Sequence, residues 1–218
     1  SNQIRTKPGV YTRRRGNEEL EAAFNLSKGA NFRVSMPDPK DGLLHMEYGT
    51  TSIPLYPVLR ALGMPHKDIA GAWSPAVAEQ NRDAFKTPDR HVEKLYSRVI
   101  HPSKQTHATL EEKIRGLHEY YDNTAMEPEV TKATLGKAFD KVTPHALLAA
   151  SGKLLDVNRA AQDTDDRDSL EYKTFHSVDD FIKERIALDA RMLKSKLGFK
   201  LDASGGKARK AIPAGLFT

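Results

Sequence analysis

Three hydroxyl–proline pairs constrain this chain more than any other feature: Ser74-Pro75, Thr87-Pro88 and Thr143-Pro144. Proline lacks an N–H and has a fixed φ, so it suits the first helical position, and a preceding Ser or Thr suits the N-cap. Each pair therefore predicts a helix start, and the segments they open run over about 75–86, 88–100 and 144–161. Two further helices fit near 108–121 and 128–140, the first carrying Leu110, Ile114, Leu117 and Tyr121 at a core-facing spacing. Another starts near Pro57 and stops at Gly63, with Pro65 beyond it. A last long helix is expected from the Ser177 cap to about Leu197, with Gly198 closing it.

The amino end follows other rules. Residues 1–16 read as extended and basic, with a turn at Pro8-Gly9. Asn17 as an N-cap, followed by Glu18 and Glu19, predicts a short helix with the stripe Leu20, Ala23 and Phe24, ended by Gly29. Asn31–Met36 and Leu43–Tyr48 flank the breaker-dense stretch Pro37–Gly42 and predict a hairpin. The expected fold is α+β: a mostly α-helical domain with a small antiparallel β element near the N-terminus. It divides into a region 1–162, with the β element at about 31–48 and helices after it, and a region 163–218 of loop, long helix and irregular tail. Trp73, the single tryptophan, closes an apolar helix and is expected in the core rather than against a base.

Composition excludes several classes. The 218 residues contain no cysteine, which removes disulfides and thiolate metal sites and suits a reducing compartment. No apolar run reaches the roughly 18 residues of a membrane span, and no signal segment opens the chain. The opening Ser-Asn-Gln, with no initiator Met, reads as a trimmed or excised fragment. No histidine pair has metalloprotease spacing, and Lys207 after Gly205-Gly206 lacks the rest of a P-loop. The net charge of +5 is mild, but Arg5, Lys7, Arg13, Arg14 and Arg15 form an acid-free basic stretch. Together with a basic tail, it points to phosphate contacts at particular places, or to ordinary solubilising charge.

Asp163, Asp165, Asp166 and Asp168 fall within six positions, with Arg167 among them. Like charges this close repel, and aspartate favours caps and turns over helix interiors, so the run is expected as a polar loop outside the core. It fails as an EF-hand: Arg167, Asp168 and Thr174 stand where a ligand, the glycine and the glutamate belong. No metal is expected in this chain.

Asp165-Asp166-Arg167-Asp168 with Lys173 beyond it resembles the fork loop of the β subunit of multisubunit DNA-directed RNA polymerases. It departs at Ser169, Glu171 and Tyr172, where the family has His, Gly and Asn or Lys. Other stretches resemble the same subunit in the same order: Arg5–Tyr11 the opening of the lobe, Asp38–Leu43 an Asp-Pro-Lys-Asp turn, and Ile53–Gly63 the Leu-Arg-Ala-Leu-Gly segment. Glu127–Phe139 is similar to a segment before the fork, Ser177-Val178 to the helix after it, and Ile212–Phe217 to a short apolar segment beyond. The shortened spacing is similar to that of polymerases encoded by large tailed phages.

The resemblance implies a lobe-and-fork part of β that lines the downstream DNA channel and takes part in nucleotidyl transfer without the catalytic metal site. The isolated chain would be inactive. Mg²⁺ would be held by another subunit of the assembly. Partners would be a β′-like subunit, the remaining β-like parts and DNA, with the RNA–DNA hybrid a further candidate and no membrane. The location would be cytoplasmic, in the host or in the virion. By motif, Arg5, Asp168 and Lys173 would line a pocket for a non-template base, as a guanidinium paired with a carboxylate can read guanine. Lys173 stands in place of an arginine and lacks its planar fork. The stacking tryptophan has no counterpart, although Asn31 and Phe32 are near its place. Arg167, Arg13 and Arg14 complete the nucleic-acid candidates, with Arg15 beside them. The alternative is a free-standing helical module that binds nucleic acid or protein as a regulator.

Overall fold

The structure, a computed structural model, describes residues 3–85, 87–100, 109–166, 172–176, 182–183, 185–187, 189–190 and 192. For 3–5 and 174–176 the description is of the backbone alone. The chain divides into two compact units, residues 6–173 and residues 1–5 with 174–218.

The larger unit is built on a five-stranded antiparallel sheet in which each strand lies beside its sequence neighbour. Its strands are β2 (Gly9–Arg14), β3 (Leu20–Asn25), β4 (Phe32–Met36), β5 (His45–Tyr48) and β6 (Thr51–Pro54). Alternation assigns the faces. Val10 lies opposite Phe24, Ala22 opposite Val34, and Val34 opposite Met46, and all are buried on the core side. Phe24, Phe32 and Tyr48 stack in sequence, with ring centroids 4.5 and 5.0 Å apart.

The helices are α1 (Leu55–Ala61), α2 (His66–Trp73), α3 (Pro75–Ala84), α4 (Pro88–Val99), α5 (Leu110–Asp122), α6 (Pro128–Leu135) and α7 (Pro144–Asn158). The fold is α+β, as expected. α7 is apolar enough to lie across β2, β3 and β4, burying Ala146, Leu147, Ala150, Leu154 and Val157. Trp73 is fully buried, and its Nε1–H donates to Ser151 Oγ of α7 at 2.8 Å. Buried Asn81 of α3 accepts from Leu44 N–H at 2.9 Å and donates to the Gly42 carbonyl, tying the Pro37–Gly42 turn to the helices. Leu117 and Tyr121 of α5 are buried, with Leu110 and Ile114 partly buried against the same core.

Two expectations are corrected. The helix expected after Asn17 is strand β3: Leu20, Ala22 and Phe24 alternate inward, while Glu21 pairs across to Arg13 and Ser35. The second concerns the caps. Each proline opens its helix, but Thr143 is the one hydroxyl of the three that caps, accepting from Ala146 N–H at 3.0 Å. Ser74 and Thr87 make no cap bond, and Ser74 is held at φ +83° between α2 and α3.

The smaller unit carries the pairing of β1 (Gln3–Thr6) with β7 (Lys173–His176), whose inner residues Thr6 and Lys173 belong to the larger unit. Its described residues between 182 and 192 are helical, with Ile182, Ile186 and Met192 exposed. The rest of the helix expected from Ser177 to Leu197 lies outside the described residues.

Candidate nucleic-acid interface

Two distant parts of the larger unit meet at strand β2. Lys7 N–H donates to the Tyr172 carbonyl at 2.9 Å, and Lys173 Nζ donates to Thr6 Oγ1 at 3.2 Å. The Tyr11 and Tyr172 rings meet edge to face, with centroids 5.4 Å apart. The outward-facing backbone of β2 is then closed by one aspartate. Asp165 N–H donates to the Thr12 carbonyl at 2.8 Å, and Thr12 N–H donates back to Asp165 Oδ2 at 2.7 Å. Asp165 thus acts as a one-residue extra strand. Its other oxygen takes Lys153 Nζ of α7 at 2.5 Å, and that ammonium also reaches the Thr134 carbonyl at 2.6 Å. Both side chains of the ion pair are about nine-tenths buried.

This corrects the reading of the acid run as a loop with no place in the interior. The repulsion argument holds for Asp163 and Asp166, which are exposed. Asp165 escapes it because a buried cation and a backbone N–H stabilise its charge. The sequence offered one sign of this: Lys153 lies between Gly152 and Leu154-Leu155 on a largely apolar helix, and a charge there needs a partner.

The named candidates fall in different places. Lys173 is half-buried at the start of β7. Arg5 lies in β1, where the backbone alone is described. Arg167 and Asp168 lie outside the described residues. Arg13 and Arg14 end β2, and both have carboxylate partners: Arg13 Nε meets Glu21 Oε1, and Arg14 Nη1 meets Glu18 Oε2 at 2.9 Å. Glu18 takes φ +66° in the β2–β3 turn, which carries it back toward Arg14.

The outer face of the sheet holds residues that the sequence reading missed. Glu21, 1% exposed, accepts a hydrogen bond from Arg13 on one oxygen; its other oxygen accepts none among the described residues and lies in ion-pair contact with Arg15 Nε at 2.6 Å and Arg33 Nε at 3.7 Å. Arg33 directs Nε and Nη2 to Glu47 Oε2 at 2.6 and 2.5 Å, and Ser35 donates to Glu47 Oε1 at 2.7 Å. Burial works against the Arg33 charge, but the hydrogen bond and charge of Glu47, with Glu21 and Glu19 beyond, hold its pKa above the ordinary value. The alternation Arg33, Ser35 and Glu21, Ala23 would have placed these groups on one face once β3 was read as a strand.

Elsewhere, a groove of about 460 Å³ beside α1 and α3 contains Tyr56, whose hydroxyl is 2.9 Å from His66 Nδ1, while His66 Nε2 is 3.1 Å from Glu79. Arg82, on the same groove, is paired with Glu79 and Asp83. Among the described residues there is no cluster of three or more His, Asp or Glu side chains fit to hold a metal, and no helix is long and apolar enough to cross a membrane. No protein-family model matches the chain, and no curated protein matches it.

Proposed function

We propose that this chain is the lobe-and-fork part of a divergent, phage-like β subunit of a DNA-directed RNA polymerase, forming one wall of the downstream DNA channel. The observation that carries the reading is a meeting of motifs. The resemblance assigns Arg5 of the first motif and Asp168 and Lys173 of the fork to one base-binding pocket. In the larger unit Lys7 of the first motif is hydrogen-bonded to Tyr172, and Thr12, just beyond that motif, to Asp165, each more than 150 positions later in the chain. Motifs matched by chance have no reason to be neighbours.

On this reading the chain supplies walls and contacts, and the two-metal chemistry of nucleotidyl transfer belongs to a partner that carries the metal-binding aspartates. The resemblance would have Arg5, Asp168 and Lys173 read a base of the displaced strand, with the remaining subunits around the lobe in the cytoplasm of the host or in the virion. Co-purification tests it. The tagged chain, or the full product containing it, is expressed in its native setting and its partners are identified by mass spectrometry. A large partner with the metal-binding aspartates, and template-dependent RNA synthesis in the eluate, is the expected result. A chain that comes down without such a partner and without transcription activity would sink the reading and leave a helical binding module as its successor.

A further inference from the structure

The acids and arginines on the outer face of the sheet lie at different depths. The carboxylate side chains of Glu21, Glu19 and Glu47 are 1%, 10% and 11% exposed, whereas the guanidinium side chains of Arg13, Arg15 and Arg33 are 45%, 33% and 31% exposed. Three positive and three negative charges cancel in a count, but they do not cancel at the surface. A molecule approaching this face meets the guanidiniums, and the acids lie behind them.

We propose that Arg13, Arg15 and Arg33 form a guanidinium platform for the phosphate backbone of duplex DNA, with Glu21 the positioning residue that holds it. The choice of duplex DNA rests on the polymerase reading above; the platform itself rests on geometry. Glu21 sits on the central strand of three, opposite Arg13 on β2 and Ser35 on β4. Its carboxylate accepts a hydrogen bond from Arg13 and forms ion pairs with Arg15 at 2.6 Å and, from the other side, with Arg33 at 3.7 Å. Arg33 is fixed a second time by Glu47, which Ser35 orients in turn.

An arginine has five N–H donors, and the hydrogen bonds of Arg13 to Glu21, Arg15 to Glu19 and Arg33 to Glu47 occupy few of them. The remaining donors are presented on a side chain that has already lost most of its rotamer freedom, so a phosphate need not impose that ordering. Arginine suits this arrangement because its planar fork can serve a carboxylate along one edge and a phosphate along another, which a lysine cannot do. The buried acids also weaken the long-range field, so the platform provides contact rather than steering.

The test is fluorescence anisotropy of a short labelled DNA duplex with the full 218-residue chain across a salt series. Arg15→Ala and Arg33→Ala should each weaken binding and make the slope of log affinity against log salt shallower by about 0.9. Glu21→Gln decides the matter, because charge counting and pre-organisation predict opposite signs. Removing an acid from a DNA-binding face should tighten binding by simple electrostatics, whereas loss of the positioning residue should weaken it by roughly fivefold. Circular dichroism and melting establish that each variant is folded. If Glu21→Gln does not fold, Arg33→Lys takes its place, since it keeps the charge and loses the fork; weaker binding at an unchanged slope is expected.

No duplex binding by the wild type, a folded Glu21→Gln that binds as tightly or tighter, or an Arg33→Lys equal to wild type would overturn the platform. These outcomes are separate from the polymerase question. A chain that co-purifies with its partners but shows none of these effects refutes the platform alone. A platform that binds in a chain with no polymerase partner refutes the polymerase reading alone.

Discussion

Lys153 and Asp165 form an ion pair, and both are nearly out of water. Removing one side of such a pair leaves a buried charge with nothing to offset it, a loss of about 3–5 kcal/mol. Asp165→Ala should lie toward the lower end, about 3 kcal/mol, because Lys153 keeps the Thr134 carbonyl. Urea denaturation would show this as a lower midpoint at a similar slope. The double change Lys153→Met with Asp165→Leu should recover only part of the loss: it removes the unpaired charge, but leaves Thr12 N–H and the Thr134 carbonyl without their side-chain partners. At this scale the sequence was legible for apolar residues and much less so for charged ones. Trp73 and Leu117 could be placed inward from spacing alone. Asp165 could not be told from Asp163 or Asp166, because its distinction comes from Lys153 and Thr12, which are remote in the chain.

Elements were legible where one rule governed them and ambiguous where two did. Proline at the first helical position located α3, α4 and α7 within a few residues. The stretch after Asn17 satisfied both a capped helix and an alternating strand over six residues, too few for periodicity to choose; pairing with β2 and β4 decided it. The caps lead to a direct comparison. Thr143→Ala should cost about 1 kcal/mol, whereas Thr87→Ala should stay within about 0.5 kcal/mol. Ser74 sits at φ +83°, ψ 151°, a region that suits glycine, so Ser74→Gly should stabilise by about 1 kcal/mol. Thermal melting of the three variants checks all of these signs. Packing between elements is equally specific at Gly9 of β2, where an added Cβ would overlap Val130 of α6. Gly9→Ala should cost about 1–3 kcal/mol, and Val130→Ala in the same chain should return part of it.

The larger unit as a whole should be most stable between about pH 6.5 and 10, the ordinary titration points of histidine and tyrosine. On the alkaline side, burial pushes the Tyr48 hydroxyl well above its usual range, and Tyr121 beside it shifts the same way for the same reason. Their hydroxyls are 3.2 Å apart under the sheet. A tyrosine whose pKa is higher when folded keeps its full contribution below pH 10 and loses it as pH rises, by about 1.4 kcal/mol per pH unit for each group. On the acid side, burial lowers His45, and burial with Lys94 and Arg90 nearby lowers His91. A depressed histidine contributes above its unfolded pKa, and the contribution is lost as pH falls through about 6.5. Melting temperature measured across pH should decline on both flanks. The double variant Tyr48→Phe, Tyr121→Phe should flatten the alkaline flank and leave the acid one unchanged.

The closure of β2 by Asp165 has a consequence for how the protein is made. Thr12 leaves the ribosome 153 residues before the residue that covers its backbone. At about 5–20 residues per second, that strand edge waits about 8–30 s for its partner. During that interval, an uncapped edge with Val10 and Tyr11 along it is open to pairing with another nascent chain. Polysome density and chaperone occupancy, rather than the stability of the finished molecule, should therefore govern its yield, and any version cut short before residue 165 should be recovered mainly as aggregate.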